Sequence, residues 1–162
     1  MDAPVKEAFH FLSDHHVLSL AVCSDGQPHC CSLMYSHVGF TIFWVSDPAA
    51  RHSQAIDAAA SVRVSATVAP DYDDFRQIRG LQISGTASRV TELADSLWAL
   101  ALLGRRYGFL AGLADRPTEL ASALARAKVY RLVPDTLTLI DNTRAFADKT
   151  TYHAAQLAAF VA

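Results

Sequence analysis

The chain has 162 residues, 51% of them apolar and 19% charged, with a net charge of −2. That length fits one domain able to bury roughly two thirds of its unfolded surface, and the composition excludes disorder. The near-neutral charge gives no electrostatic reason to expect a nucleic acid or an anionic membrane as partner, and no apolar run reaches the length of a membrane span. Along the chain, Asp2 and Pro4 open a helix that carries Val5, Ala8, Phe9 and Leu12 at helical spacing and ends near Asp14. Val17–Cys23 reads as a strand, Ser24-Asp25-Gly26-Gln27 as a hairpin turn, and His29–His37 as the partner strand, which leads through Gly39 into Phe40–Val45. Ala49–Ala58 predicts one or two helical turns and Ser61–Val68 the next strand, followed by a polar surface loop over Ala69–Asp74. Gln77–Val90 predicts a long strand, and Thr91–Tyr107 a helix capped by Thr91 with Leu93, Leu97, Leu100 and Ala101 on one side. A further helix is expected around Pro117–Ala127, a last barrel strand over Lys128–Ile140, a polar turn over Asp141–Asp148 and an Ala-rich tail helix over Tyr152–Val161. About six strands with helices at the ends and between them make an α+β fold, an antiparallel Greek-key barrel filling one domain over residues 1–162.

The chemistry gathers where the strand ending at Val45 stops. Ser46, Arg51, His52 and Ser53 stand at a strand-to-helix junction, where hydroxyls, a guanidinium and helix N–H groups can converge on a phosphate. The same residues also fit a plain junction with a solvated arginine. Cys23, Cys30 and Cys31 are an odd count without CxxC spacing and read as buried thiols behaving as small hydrophobes in a reducing cytosol. Seven histidines raise the question of metal or haem, but no HxxxH or HExxH spacing is present and no metal site is expected. Asp141-Asn142-Thr143-Arg144 reads either as an Asx-turn or as a tail segment brought over a ligand, with Asn142 or Lys149 on the substrate side. Hydrolase, kinase and Rossmann motifs are missing. The N-terminus shows no signal core, so a cytoplasmic protein is expected.

Three segments in order resemble the pyridoxamine 5′-phosphate oxidase-like superfamily of FMN-binding split barrels. Gly26-Gln27-Pro28 resembles the G-x-P entry into its flavin-facing strand, and Ser46 through His52 its phosphate-binding segment. Arg79-Gly80-Leu81-Gln82-Ile83-Ser84-Gly85 resembles its later long strand. The Arg51-His52, Arg79-Gly80-x-Gln82 and Asp141-Asn142-Thr143 signatures resemble the small bacterial YhbP-like group.

The resemblance implies FMN as cofactor, with its phosphate at Ser46, Arg51, His52 and Ser53. It implies an isoalloxazine slot along Cys31, Ser32, Leu33 and Tyr35, Gln82 as a further contact, and a homodimer with the cofactor at the subunit interface. The implied activity is a flavin-dependent oxidoreductase of unspecified substrate, with no catalytic acid or base named. Non-catalytic binding of haem or another ligand is the alternative, and a barrel kept for protein interaction a third. Oxidases of the family carry Arg at the position of Cys31, Lys at His52 and Gln at Gly80, and their C-terminal Trp and Arg pattern is missing here.

Overall fold

Asp25 and Gly26, both at positive φ (51° and 73°), make the tight turn that the Asp-Gly pair predicts and join strands β1 (Val17–Ser24) and β2 (Gln27–Met34) in register from Val17↔Met34 to Ser24↔Gln27. The computed structural model describes residues 3–108, 122 and 125–160. Helix α1 (Ala3–Asp14) precedes this hairpin and buries Val5, Ala8, Phe11 and Leu12. The other strands are β3 (Ser36–Val38), β4 (Thr41–Ser46), β5 (Ser61–Val68), β6 (Arg79–Arg89), β7 (Lys128–Asp141) and β8 (Lys149–His153). Helices α2 (Arg51–Ala58), α3 (Leu93–Arg106) and α4 (Ala154–Ala158) and a short 3-10 turn at Phe75–Gln77 complete the described elements. The strands form one eight-stranded antiparallel sheet ordered β2-β1-β5-β6-β7-β4-β3, with β8 also on β7.

The expected α+β split barrel is therefore present, with eight strands rather than about six. The first extra strand arises because the segment expected as one strand, His29–His37, breaks at Tyr35. That residue is fully buried and donates its hydroxyl to Leu12 O at 2.7 Å, while its backbone N–H reaches His16 O. The break lets β2 stay on β1 while β3 swings across to pair with β4. The second is β8, where a tail helix was expected from Tyr152. Thr150, Thr151 and Tyr152 are good strand formers and pair with β7, and the helix among the described residues of the tail is Ala154–Ala158.

Alternation along the strands sends Leu18, Leu20, Val64, Ala66, Leu81, Ile83, Leu132, Leu137 and Leu139 into one core under α1. Strand β7 runs the whole height of the barrel. Its first half holds β4, its second half holds β8, and β6 follows it throughout. At Ser84/Gly85 the β6–β7 register slips by one residue at Pro134 and Asp135. Gly85 sits so close there that a Cβ would lie 2.2 Å from Val133 O, so only glycine fits the bend.

Helix α3 starts at Leu93 after Glu92, with no side-chain cap from Thr91. Its buried residues are Ala99, against Phe43, Val90 and Val129, and Leu103, whereas Leu93, Leu97, Trp98 and Leu100 are exposed. The helix expected over Pro117–Ala127 falls almost wholly outside the described residues. No helix among the described residues is long and apolar enough to cross a membrane.

Candidate functional site

Strand β4 ends at Ser46, and the chain turns at once. Asp47 accepts hydrogen bonds from Ala49 N through its side chain (2.8 Å) and from Ala50 N through its carbonyl (3.0 Å), which folds the turn ahead of α2. Ala50 is the N-cap residue and no side chain caps the helix, so the positive end of α2 has no acceptor from a capping side chain. Ala55 and Ile56 anchor the helix on the barrel, and Tyr130 and Arg89 tie Asp57 at its far end (3.1 and 3.4 Å).

Ser46 and His52 meet directly, Oγ to Nε2 at 2.7 Å. Arg51 is exposed and has no hydrogen bond or ion pair among the described residues. Ser53 is fully buried, its hydroxyl beside the Tyr130 phenol, so it faces the barrel and not the turn. His52 is buried to 7% exposure, and burial, then the neighbouring His29, lowers its pKa from the ordinary imidazole value. The ring is therefore neutral around pH 7 and serves as a hydrogen-bonding group, not as a fixed cation.

The residues expected along β2 divide between its faces. His29, Cys31 and Leu33 are half-buried and turn inward, with Cys31 and Leu33 against the core. Ser32 and Met34 are exposed on the outer face. Tyr35 is a core residue whose hydroxyl is committed to Leu12. The cysteines are not the buried set expected: Cys23 and Cys30 are exposed and only Cys31 packs inward. Burial, then the adjacent Cys30, raises the Cys31 thiol pKa.

Gln82 is also on the outer face. Pairing aligns Ser32, Ser19, Thr67, Gln82, Thr138 and Thr151 into one row of hydroxyls and an amide across six strands. Ser32 and Gln82 are three strand spacings apart, about 14 Å. Within one chain, then, Gln82 and the Ser46–His52 turn lie on different surfaces.

Spacing in the sequence did not reveal a third grouping. His29 and Cys31 alternate onto the same face of β2, and α2 brings His52 onto them. Donor atoms of the three lie within 4.8 Å of one another, and the two imidazoles are parallel at 6.2 Å. No metal-ligand spacing is visible because the third residue comes from another element. A cavity of about 540 Å³ lies at the opposite end of α2, lined by Asp57, Arg89, Leu93, Ser96 and Leu100 among others, and includes none of the expected site residues.

The Asp141–Arg144 segment is a structural turn. Thr143 donates its N–H (3.0 Å) and hydroxyl to Asp141 Oδ1, and the Asn142 side chain bridges Phe75 O and Ala147 N. Arg79 bonds Asp141 at 3.1 Å and Glu7 at 2.7 Å, and Arg144 pairs with both carboxylates. Burial pushes the Asp141 pKa up. Hydrogen bonds from Thr143 and the charges of Arg79 and Arg144 outweigh it and hold the carboxyl below its usual value.

The profile of the pyridoxamine 5′-phosphate oxidase family matches residues 4–140. This chain belongs to that family. No curated protein matches the sequence significantly. Solved structures of similar fold include a haem-binding protein from Mycobacterium smegmatis, with a TM-score of 0.76, 15% identity and 98% of this chain covered. This chain spans 61% of the length of that protein. A haem storage protein from Vibrio cholerae has a TM-score of 0.63 and 19% identity, with 91% of this chain and 92% of that one covered. An FAD-binding protein from Mesorhizobium loti has a TM-score of 0.60 and 20% identity, with 85% and 92% covered. At such identities the likeness to these structures is one of fold, and split barrels of this kind carry more than one type of ligand.

Proposed function

We propose that this member of the pyridoxamine 5′-phosphate oxidase family binds FMN and acts as a flavin-dependent oxidoreductase in a homodimer. The observation that carries the reading is the start of α2. An uncapped helix N-terminus, an Arg51 with no partner among the described residues and the Ser46 hydroxyl stand close together in the chain, a grouping suited to an anion. The residues fit a phosphate in this respect. Ser46, Arg51 and His52 would hold it, and Ser53, buried toward Tyr130, would support the turn from beneath. Bound there, the flavin would supply hydride or electron transfer at its ring.

The division of residues between two surfaces supports a composite site. Cys31 and Leu33 turn inward against the core of one chain, while Ser32 and Gln82 belong to the outer hydroxyl row. A second chain laid on that row would bring its Gln82 toward the first chain's flavin. Small side chains such as Ser19, Ala21 and Ser65 leave that face flat enough for close approach.

Titrating the purified protein with FMN tests the reading. Flavin fluorescence should change on binding, and Arg51→Ala should weaken binding at least tenfold, since a hydrogen bond to a charged group contributes about 1.5–3 kcal/mol. Unchanged affinity in Arg51→Ala would remove the proposed anchor.

Haem is the second reading, favoured by the parallel His29 and His52 rings and by the haem proteins among the similar folds. A Soret band on haem addition, with no response to FMN, would select it.

A further inference from the structure

His29, Cys31 and His52 form a set that a phosphate anchor does not use as a set. Two residues apart on β2, His29 and Cys31 project from the same face, and the first turn of α2 supplies His52. Two imidazoles and a sulfur are the donors that a borderline-soft divalent cation takes, whereas magnesium and calcium require oxygen ligands. A tetrahedral zinc site with bonds of about 2.0–2.3 Å sets its donors about 3.5 Å apart. The observed separations, up to 4.8 Å, close to that by side-chain rotation of about 1 Å. The freedom for that movement exists: His29 and Cys31 are half-exposed, and neither makes a hydrogen bond among the described residues. His52 is the fixed member, buried and oriented by the Ser46 hydroxyl.

We infer that His29, Cys31 and His52 are the three protein ligands of a zinc site whose fourth position is left to water or an exchangeable ligand. Three protein ligands and an open position are the arrangement of reactive zinc, in contrast to closed structural sites. On binding, Cys31 ligates as the thiolate and its proton passes to solvent. The inference does not depend on flavin. It shares His52 with the phosphate anchor but needs His29 and Cys31, which that anchor omits.

Chelator-stripped full-length protein titrated with Co²⁺ and then Zn²⁺ tests it. One Co²⁺ per chain should bind, with a thiolate-to-cobalt charge-transfer band in the near ultraviolet that Zn²⁺ removes. Cys31→Ser should lose the band, and His29→Gln and His52→Gln should each weaken Zn²⁺ binding at least tenfold. A Cys23→Ser/Cys30→Ser double variant, which removes the two exposed thiols, should keep both the band and the affinity. Arg51→Ala should keep metal binding while losing FMN, so that the two readings fail separately. The inference is overturned by absence of the band, by a band that survives Cys31→Ser, or by one lost in the double variant instead. Should His52→Gln fail to fold by circular dichroism, the half-exposed His29 and Cys31 positions decide the matter alone.

Discussion

Two polar clusters sit at different places on this barrel, and their bonding differs. At the α1–β6–β7 end, Glu7, Arg79, Asp141 and Arg144 satisfy one another, and Thr143 completes the shell around the buried carboxylate. At the β4–α2 turn and the β2 residues beside it, the helix start is uncapped, and among the described residues Arg51 has no partner and His29 and Cys31 make no hydrogen bonds. Opposite charges that neutralise one another inside the chain hold elements together. A cluster whose cation, helix end and soft donors have no partner among the described residues is the one we propose as the ligand site.

Substitution at each cluster should give opposite signatures. Asp141→Ala leaves two arginines facing a vacated site and should destabilise the fold by about 2–3 kcal/mol, read as a lowered midpoint in denaturant, with FMN affinity unchanged in the folded protein. Arg51→Ala should do the reverse: stability within about 0.5 kcal/mol of the parent, and FMN binding weakened at least tenfold. A lowered midpoint in Arg51→Ala would break the contrast.

The effect of pH sharpens it further. Asp141 has a depressed folded pKa, so its contribution is fully present above the unfolded value of about 3.9 and is lost as pH falls through the folded value. Denaturation midpoints measured below pH 5 should therefore fall more steeply for the parent than for Asp141→Asn. The smallest effect concerns backbone strain, which both regions carry equally. Ala60 after α2 and Ala147 in the Asp141 turn both hold positive φ, 59° and 58°. Glycine at either position should raise stability by about 1 kcal/mol in thermal melts.

What the sequence disclosed depended on the range of the interaction. The Asp25-Gly26 hairpin, β5 and the Ser46-to-α2 turn follow from neighbours in the chain and were legible there. Tyr35 was not, because the strand breaks to place its hydroxyl on Leu12, a residue in another element. Helix α3 is apolar nearly all round, so a 3.6-residue period cannot choose a face; packing on Phe43 and Val129 buried Ala99, and Leu103 is buried with it, instead of the Leu93–Leu97–Leu100 stripe. The His29–Cys31 alternation was readable as strand spacing, but its meeting with His52 depends on how α2 crosses β2. The role of Asp141 was half visible: the Asx-turn is local, while Glu7 and Arg79 come from distant positions.

Strand β7 carries a consequence for how the chain reaches this state. The β1–β2 and β5–β6 hairpins can zip up from their own turns as soon as they are made. Strand β4 can zip only onto the short β3, since the partner of its other edge is the first half of β7, synthesised much later. Until then Thr41–Ser46, with Ile42, Phe43 and Trp44 in it, presents an open apolar edge. Closure through so distant a pairing places folding on the slow, millisecond-to-second side for a domain of this size. During that wait β4 is the segment of the nascent chain most exposed to aggregation.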